Sequence, residues 1–254
     1  MTGPALPIEP DRPTDTLVAT HSGPHGVVVP GPAGWPRPEW LSRAVHHADE
    51  IDPTWFSRFQ PPDDGGRESA VLMLFAPPPA KAAGDGEHVV LTERSHTMRS
   101  HPAQISFPGG GREPADHDLV ATALREGWEE TGLEPDGVDI VGVLPSLFLR
   151  PSANLVAPVI GWWAIPTPIG VRDPGEVHDV LVVPIAHLLD PATRFTVVHP
   201  SGFRGPAFDI DGLLLWGFTA GLVDKVLELG GRTIEWDRSR ERPLPDRHLT
   251  GRRP

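Results

Sequence analysis

The stretch Arg125-Glu-Gly-Trp-Glu-Glu-Thr-Gly-Leu133 places three carboxylates where a helix would gather them. With Glu126 as origin and about 100° per residue, Glu130 lies at about 40° and Glu129 at about −60°, so the three acids share an arc of about 100°. Like charges three and four residues apart destabilise a bare helix by roughly 0.2–0.5 kcal/mol per pair. Such clustering asks for a cation. Hard divalent ions, Mg2+ or Mn2+, take oxygen ligands and suit one or two protein carboxylates combined with phosphate oxygens. The bland alternative is a solvated acidic face with Arg125 paired inside the helix. Arg-Glu-x-x-Glu-Glu-x-Gly fixes too many positions for that alternative to be preferred. Upstream, Gly109, Gly110 and Gly111 let the backbone approach a phosphate or metal with no Cβ in the way.

The elements that must position these groups can be read from periodicity. Val120, Leu124 and Trp128 recur at four-residue steps and predict the buried face of the acidic helix. Gly127 lowers helix propensity by roughly 0.5–1 kcal/mol relative to Ala and so predicts a close approach of a strand or loop. Ala70 to Ala76, His88 to Thr92, Ile105 to Phe107, Val138 to Leu144, Leu155 to Ala164 and Val180 to Val183 are short apolar runs bounded by turn residues, and predict strands. Leu215 to Leu229 predicts an amphipathic helix ending at Gly230 and Gly231. Strands interleaved with helices argue for an α/β domain over residues 68–230. Before it, residues 1–34 read as a flexible proline-rich arm, since nine of the first 38 residues are proline. Residues 35–67 read as a helical extension packed on the main domain, with Trp40, Leu41, Ala44, Val45 and Ala48 at helical spacing. Residues 231–254 read as a charged tail that frays from Asp237.

Composition narrows the function classes. The chain has 254 residues, 22 Lys and Arg against 34 Asp and Glu, and a formal charge of −12. That is the wrong sign for a broad nucleic-acid surface, so no nucleic-acid partner is expected. A small anionic substrate is compatible if bound cations and a few arginines reverse the field inside one cleft. With no cysteine, disulfides, thiolate metal sites and cysteine nucleophiles are excluded. No apolar run reaches the roughly 18 residues of a membrane span, and the first residues carry no secretory signal pattern. A cytoplasmic protein without a membrane partner is the expectation, and a homodimer is compatible with it.

The segment from Gly111 to Leu133 resembles the Nudix box. Its pattern is glycine, five variable residues, glutamate, seven variable residues, then Arg-Glu-hydrophobic-x-Glu-Glu-x-Gly-hydrophobic. Gly111, Arg125, Glu126, Glu129, Glu130, Gly132 and Leu133 stand in register, while His117 replaces the first glutamate and Gly127 the hydrophobic residue. Asp116 and Asp118 are at hand as a helix cap or a supporting acid. Leu91 to Gly110 is similar to the signature of coenzyme A pyrophosphatases, matching at Arg94, Ser95, Arg99, Phe107, Pro108, Gly109 and Gly110, with Ala103 where that subfamily has glycine.

The resemblance implies an α/β/α sandwich with a mixed central sheet and a metal-dependent pyrophosphohydrolase. It implies that Glu126, Glu129 and Glu130 hold Mg2+ or Mn2+ with a main-chain carbonyl at Gly109, and that Gly110, Gly111, Arg94, Arg99 and His101 meet a nucleotide-diphosphate substrate. Glu129 and Glu176 are the candidates for proton transfer, Glu176 because several members carry an acid on a loop before a late strand. Coenzyme A as substrate would yield 3′,5′-ADP and 4′-phosphopantetheine. Another nucleoside diphosphate derivative, a dinucleotide or nucleotide sugar, is the alternative raised by Ala103. A catalytically weak nucleotide-binding module of the same fold is the alternative raised by His117. The remaining histidines fit no compact zinc pattern by spacing. Trp162 and Trp163 are either an adenine-stacking wall or one core and one surface residue of a strand.

Overall fold

The computed structural model describes residues 34–48, 66–78, 86–98, 102–150 and 152–249. All of the expected arm but Gly34, together with Arg99 and His101, lies outside the described residues. In chain order the elements are α1 (Glu39–His46), β1 (Arg67–Ala76), β2 (His88–Arg94), β3 (Ile105–Ser106), β4 (Gly109–Gly111), α2 (Leu119–Thr131), β5 (Val138–Val143) and β6 (Leu147–Leu149). There follow β7 (Asn154–Trp163), β8 (Val177–Pro184), α3 (Ile185–Leu189), β9 (Arg194–Val198), β10 (Arg204–Ile210), β11 (Leu213–Leu215), α4 (Gly217–Leu229) and β12 (Glu241–Pro243). Among the described residues no helix is long and apolar enough to cross a membrane.

The central sheet is mixed. Its main path runs β3-β2-β1-β7-β5, with β1 and β7 parallel and the other pairs antiparallel. Continuous apolar runs suit strands buried on both faces, and β1 and β7 are such strands. Met73, Phe75, Ile160 and Trp162 face α1 and α4, in a core that also holds Trp40, Leu41, Leu222 and Val226. Leu72, Leu74, Val159 and Trp163 face α2 on the other side, with Val120 and Ala123. This is an α/β/α sandwich, and α1 is part of its core, as its spacing predicts.

The edge of β1 is shared. Its last residues pair with β2, whereas Ser69, Ala70 and Val71 pair with Gly111, Gly110 and Gly109 of β4. Near that shared edge the three glycines are held against β1 and α2.

Three expectations change. The segment after Asp237 does not simply fray: β12 pairs in parallel with β9, completing a second sheet ordered β11-β10-β9-β12, and Leu244 is buried beside it. Trp162 and Trp163 are both buried, one on each face of the sheet, so neither is a stacking wall. Trp128 is 37% exposed; α2 buries Val120, Thr122, Ala123, Gly127, Glu130 and Thr131 instead. Its packed face is made of small residues because the helix lies close on β1. A Cβ on Gly127 would stand 3.0 Å from Leu72 Cδ2 and 3.1 Å from Leu133 Cδ2, the close approach its glycine predicts.

Candidate active site

Helix α2 starts where Asp118, in extended conformation, accepts a hydrogen bond from the Ala121 amide at 2.7 Å. That N-cap satisfies one of the free first-turn donors. The helix stops at Gly132, whose φ of 73° is left-handed. Between these ends the helix turns Arg125, Glu126, Glu129 and Glu130 toward β4.

Arg125 organises the group. Its Nε and Nη2 donate to Asp116 Oδ1 and Oδ2, both at 3.1 Å, its Nη1 donates to Glu126 Oε1 at 3.0 Å and Glu129 Oε2 at 2.9 Å, and its Nη2 reaches the Gly111 carbonyl at 2.9 Å. Planar, charge-assisted bonds of this kind fix orientation as well as charge. The hydrogen bonds it donates to Asp116 hold the Arg125 guanidinium well above its ordinary range. Burial pushes the Asp116 carboxyl up, but bonds from Arg125, the Glu113 amide and Thr122 outweigh it and leave it below its ordinary value.

The two acids nearest β4 differ. Burial pushes Glu126 up, and the positive charge and hydrogen bond of Arg125 only partly offset this. Glu130 is 4% exposed, and burial first, then the neighbouring Glu126, push it up to about 8 despite the Arg94 charge and a backbone hydrogen bond from Gly109. Its Oε2 is buried without a hydrogen-bond partner. Buried polar atoms in folded proteins nearly always have one, and an oxygen so placed fits the role of a cation ligand. A Cβ on Gly110 would stand 2.3 Å from Glu126 Oε1, and one on Gly109 2.4 Å from the Ala70 carbonyl oxygen, whereas one on Gly111 meets nothing. Gly109 and Gly110 therefore serve close contacts within the protein. The donor set, all oxygens with two incompletely compensated carboxylates, fits a hard divalent cation.

These acids line a cleft of about 860 Å3. Arg67, Arg94 and Arg172 also line it, and the guanidinium of Arg172 lies 3.7 Å from the Trp128 ring centre on α2. Glu176 also lines the cleft, directly before β8, with its backbone carbonyl accepting from the Ser95 amide at 2.7 Å. The structure thus brings Glu126, Glu129, Glu130, Gly109, Gly110, Gly111, Arg94 and Glu176 to one place. His117 turns outward, 70% exposed, beside Asp118 at 3.5 Å. Sequence reasoning missed Arg172 and Trp128, and it read Arg125 only as a partner within the helix; closeness to Glu176 in the chain is the one signal that points to Arg172. A cavity of about 960 Å3 beside Arg194 is larger, but that guanidinium is already paired with Asp224.

The NUDIX domain model matches residues 81–204. An uncharacterized Nudix hydrolase, NudL, of Citrobacter koseri is 33% identical over 175 residues, which is 65% of this chain and 84% of that protein. A probable nudix hydrolase of Schizosaccharomyces pombe is 30% identical over 170 residues, 66% of this chain and 58% of that one. Among solved structures, the Nudix hydrolase RenU of M. smegmatis aligns with 15% identity and a TM-score of 0.46, covering 69% of this chain and 96% of its own.

Proposed function

The chain belongs to the Nudix hydrolase family, and from that premise we propose that it is a metal-dependent pyrophosphohydrolase that cleaves the diphosphate of coenzyme A or its derivatives. The family acts on phosphoric anhydrides of nucleoside diphosphate derivatives with divalent metal ions. The metal-dependent chemistry in this reading rests on the pair Glu126 and Glu130, a partly buried and a buried carboxylate with raised pKa, the second with an unpartnered oxygen, in a cleft also lined by arginines.

In this reading Glu126 and Glu130 hold Mg2+ or Mn2+, supported by Glu129 and the Gly109 carbonyl. A cation held there supplies charge neutralisation on the diphosphate and makes an attacking water more acidic. Arg125 keeps Glu126 and Glu129 aimed, with Asp116 behind it as a positioning residue. Arg94 and Arg172 bind phosphate oxygens, a role Arg99 and His101 share by the subfamily resemblance. Glu176 accepts the proton of the attacking water; Glu129, engaged by Arg125 at 2.9 Å, assists in holding the site. A cytoplasmic location goes with this substrate.

Coenzyme A is favoured by Leu91 to Gly110. Ala103, where the signature has glycine, adopts a φ of 56°, the left-handed conformation a glycine would supply. The loop keeps the backbone form despite the substitution. His117, which motivated the weak binding module, does not line the cleft, and Asp116 pairs with Arg125 in its neighbourhood. Incubation with Mg2+ and coenzyme A, NADH, a diadenosine polyphosphate or a nucleotide sugar, followed by product identification, tests the substrate. Cleavage of coenzyme A to 3′,5′-ADP and 4′-phosphopantetheine in preference to the others is expected. Intact coenzyme A beside a hydrolysed dinucleotide or sugar nucleotide assigns the alternative.

A further inference from the structure

The fold gathers a set of ligands that chain spacing conceals. Glu93, near the end of β2, is 7% exposed. Its Oε1 lies 2.7 Å from Nε2 of the exposed His96, and the His96 ring lies 4.2 Å, centre to centre, from the ring of His178 at the start of β8. One ligand atom from each of the three residues can be chosen so that all lie within 4.8 Å of one another.

The juxtaposition has a backbone cause. Strands β2 and β8 pair with Glu93 opposite Asp179 and Arg94 opposite Val177, so the register shifts and His178 is left as the extra residue. A bulge of this kind re-aims a side chain, and here it brings an imidazole from β8 against one from the turn after β2. Two imidazoles and a buried carboxylate form a nitrogen and oxygen set that suits borderline ions such as Zn2+ or Co2+, in contrast to the all-oxygen set on α2. Tetrahedral bonds of about 2.0–2.2 Å place ligand atoms about 3.3–3.6 Å apart. His96 and His178 are both exposed and free to make the small adjustment.

We propose that Glu93, His96 and His178 form a binding site for Zn2+ or a similar borderline divalent cation, distinct from the α2 carboxylates, that ties the end of β2 to the start of β8. None of the three lines the active-site cleft. Their neighbours do: Arg94 follows Glu93 and Glu176 lies two residues before His178. An ion here fixes the two segments that carry those groups, reinforcing the β2–β8 pairing and the Ser95 to Glu176 backbone bond that extends it. The site is therefore a clamp on the cleft wall.

Tag-free full-length protein in excess Mg2+, which occupies the α2 carboxylates, is titrated with Co2+ by visible absorption and with Zn2+ in competition with a chromophoric chelator. One equivalent of each is expected to bind. The double variant His96→Ala/His178→Ala should bind both about tenfold or more weakly, with its own Tm in EDTA as the baseline, because the buried Glu93 loses its His96 partner. Glu126→Gln should keep the Co2+ spectrum. Zn2+ should raise the Tm of the wild type and not of the double variant, since only an ion bound to the folded state stabilises it. Wild-type protein without a Co2+ spectrum means an ordinary Glu93–His96 ion pair only, and overturns the proposal. Equal Co2+ binding in the double variant places the metal elsewhere and overturns it equally. Both readouts are independent of hydrolysis, so they stand apart from the substrate assignment.

Discussion

Arg125 grips Asp116 with two parallel hydrogen bonds of 3.1 Å, and the same guanidinium carries Glu126 and Glu129 on its other edge. The acid that completes this fork stands one position before His117, the residue at which the family pattern places a glutamate. Asp116 is buried, and His117 is in solvent.

Asp116→Ala should therefore lower stability by about 1–3 kcal/mol, the usual consequence of deleting charge-assisted hydrogen bonds to a partly buried cation that keeps its other partners. It should reduce Mg2+-dependent kcat more than it raises KM, because it misaims Glu126 without touching substrate. His117→Ala should leave both Tm and kcat at wild-type values. The reverse ranking of the two variants in steady-state kinetics and thermal melts would refute this assignment.

The glycine turn gives a sharper contrast. Gly110→Ala drives a Cβ to 2.3 Å from the Glu126 carboxylate, while at Gly111 the same methyl enters open space. Gly110→Ala should weaken Mg2+ binding and depress hydrolysis by about tenfold or more with the fold retained; Gly111→Ala should stay within about twofold of wild type. Calorimetric Mg2+ titration and initial rates decide, and equal losses at the two positions contradict the geometry.

Glu130 sets a pH dependence. Burial and Glu126 push its carboxyl up to about 8, from an ordinary value of 4.5. Between those values the folded chain holds a proton that the unfolded chain has released. In metal-free protein this carboxyl therefore stabilises the fold fully below its ordinary value, and the contribution is lost as pH rises through about 8, on the order of a few kcal/mol in all. In EDTA, the wild-type Tm should fall relative to Glu130→Gln from about pH 5.5 to about pH 8.5, and Mg2+ should restore it. A gap between the two proteins that does not change with pH would rule out a proton on Glu130.

Ala103 holds a left-handed backbone at φ 56° while its amide donates to the Arg94 carbonyl at 3.2 Å. For an L-residue that conformation costs roughly 1–2 kcal/mol, and glycine removes the strain at some expense in chain entropy. Ala103→Gly should raise stability by about 0.5–1 kcal/mol in denaturant unfolding and keep coenzyme A hydrolysis. Destabilisation would mean that the methyl is packed rather than strained.

How far the sequence reached depends on the kind of signal. The acids on α2 were legible because a helical period and a fixed motif coincide there, and β1, β2, β5 and β7 because both-sided burial demands unbroken apolar runs. Trp128 was misplaced by the same period: α2 lies so close on β1 that the packed face is Ala123, Gly127 and Thr131, which carry little hydrophobic signal. Strand β12 was hidden in a polar, proline-containing tail, since its parallel partner β9 lies more than 40 residues earlier. The Glu93, His96 and His178 cluster was hidden because a bulge, not chain spacing, assembles it.

The central claim is that the α2 carboxylates support hydrolysis of a coenzyme A diphosphate. It is tested most directly by incubating wild type and Glu126→Gln with coenzyme A and Mg2+ in 18O-labelled water and identifying products by mass spectrometry. The expected products are 3′,5′-ADP and 4′-phosphopantetheine, one of them carrying a single 18O. The expected rate for Glu126→Gln is lower by on the order of a hundredfold or more, because a held cation is worth several kcal/mol to such a reaction. Coenzyme A left intact by the wild type, or cleaved equally fast by Glu126→Gln, would contradict that claim.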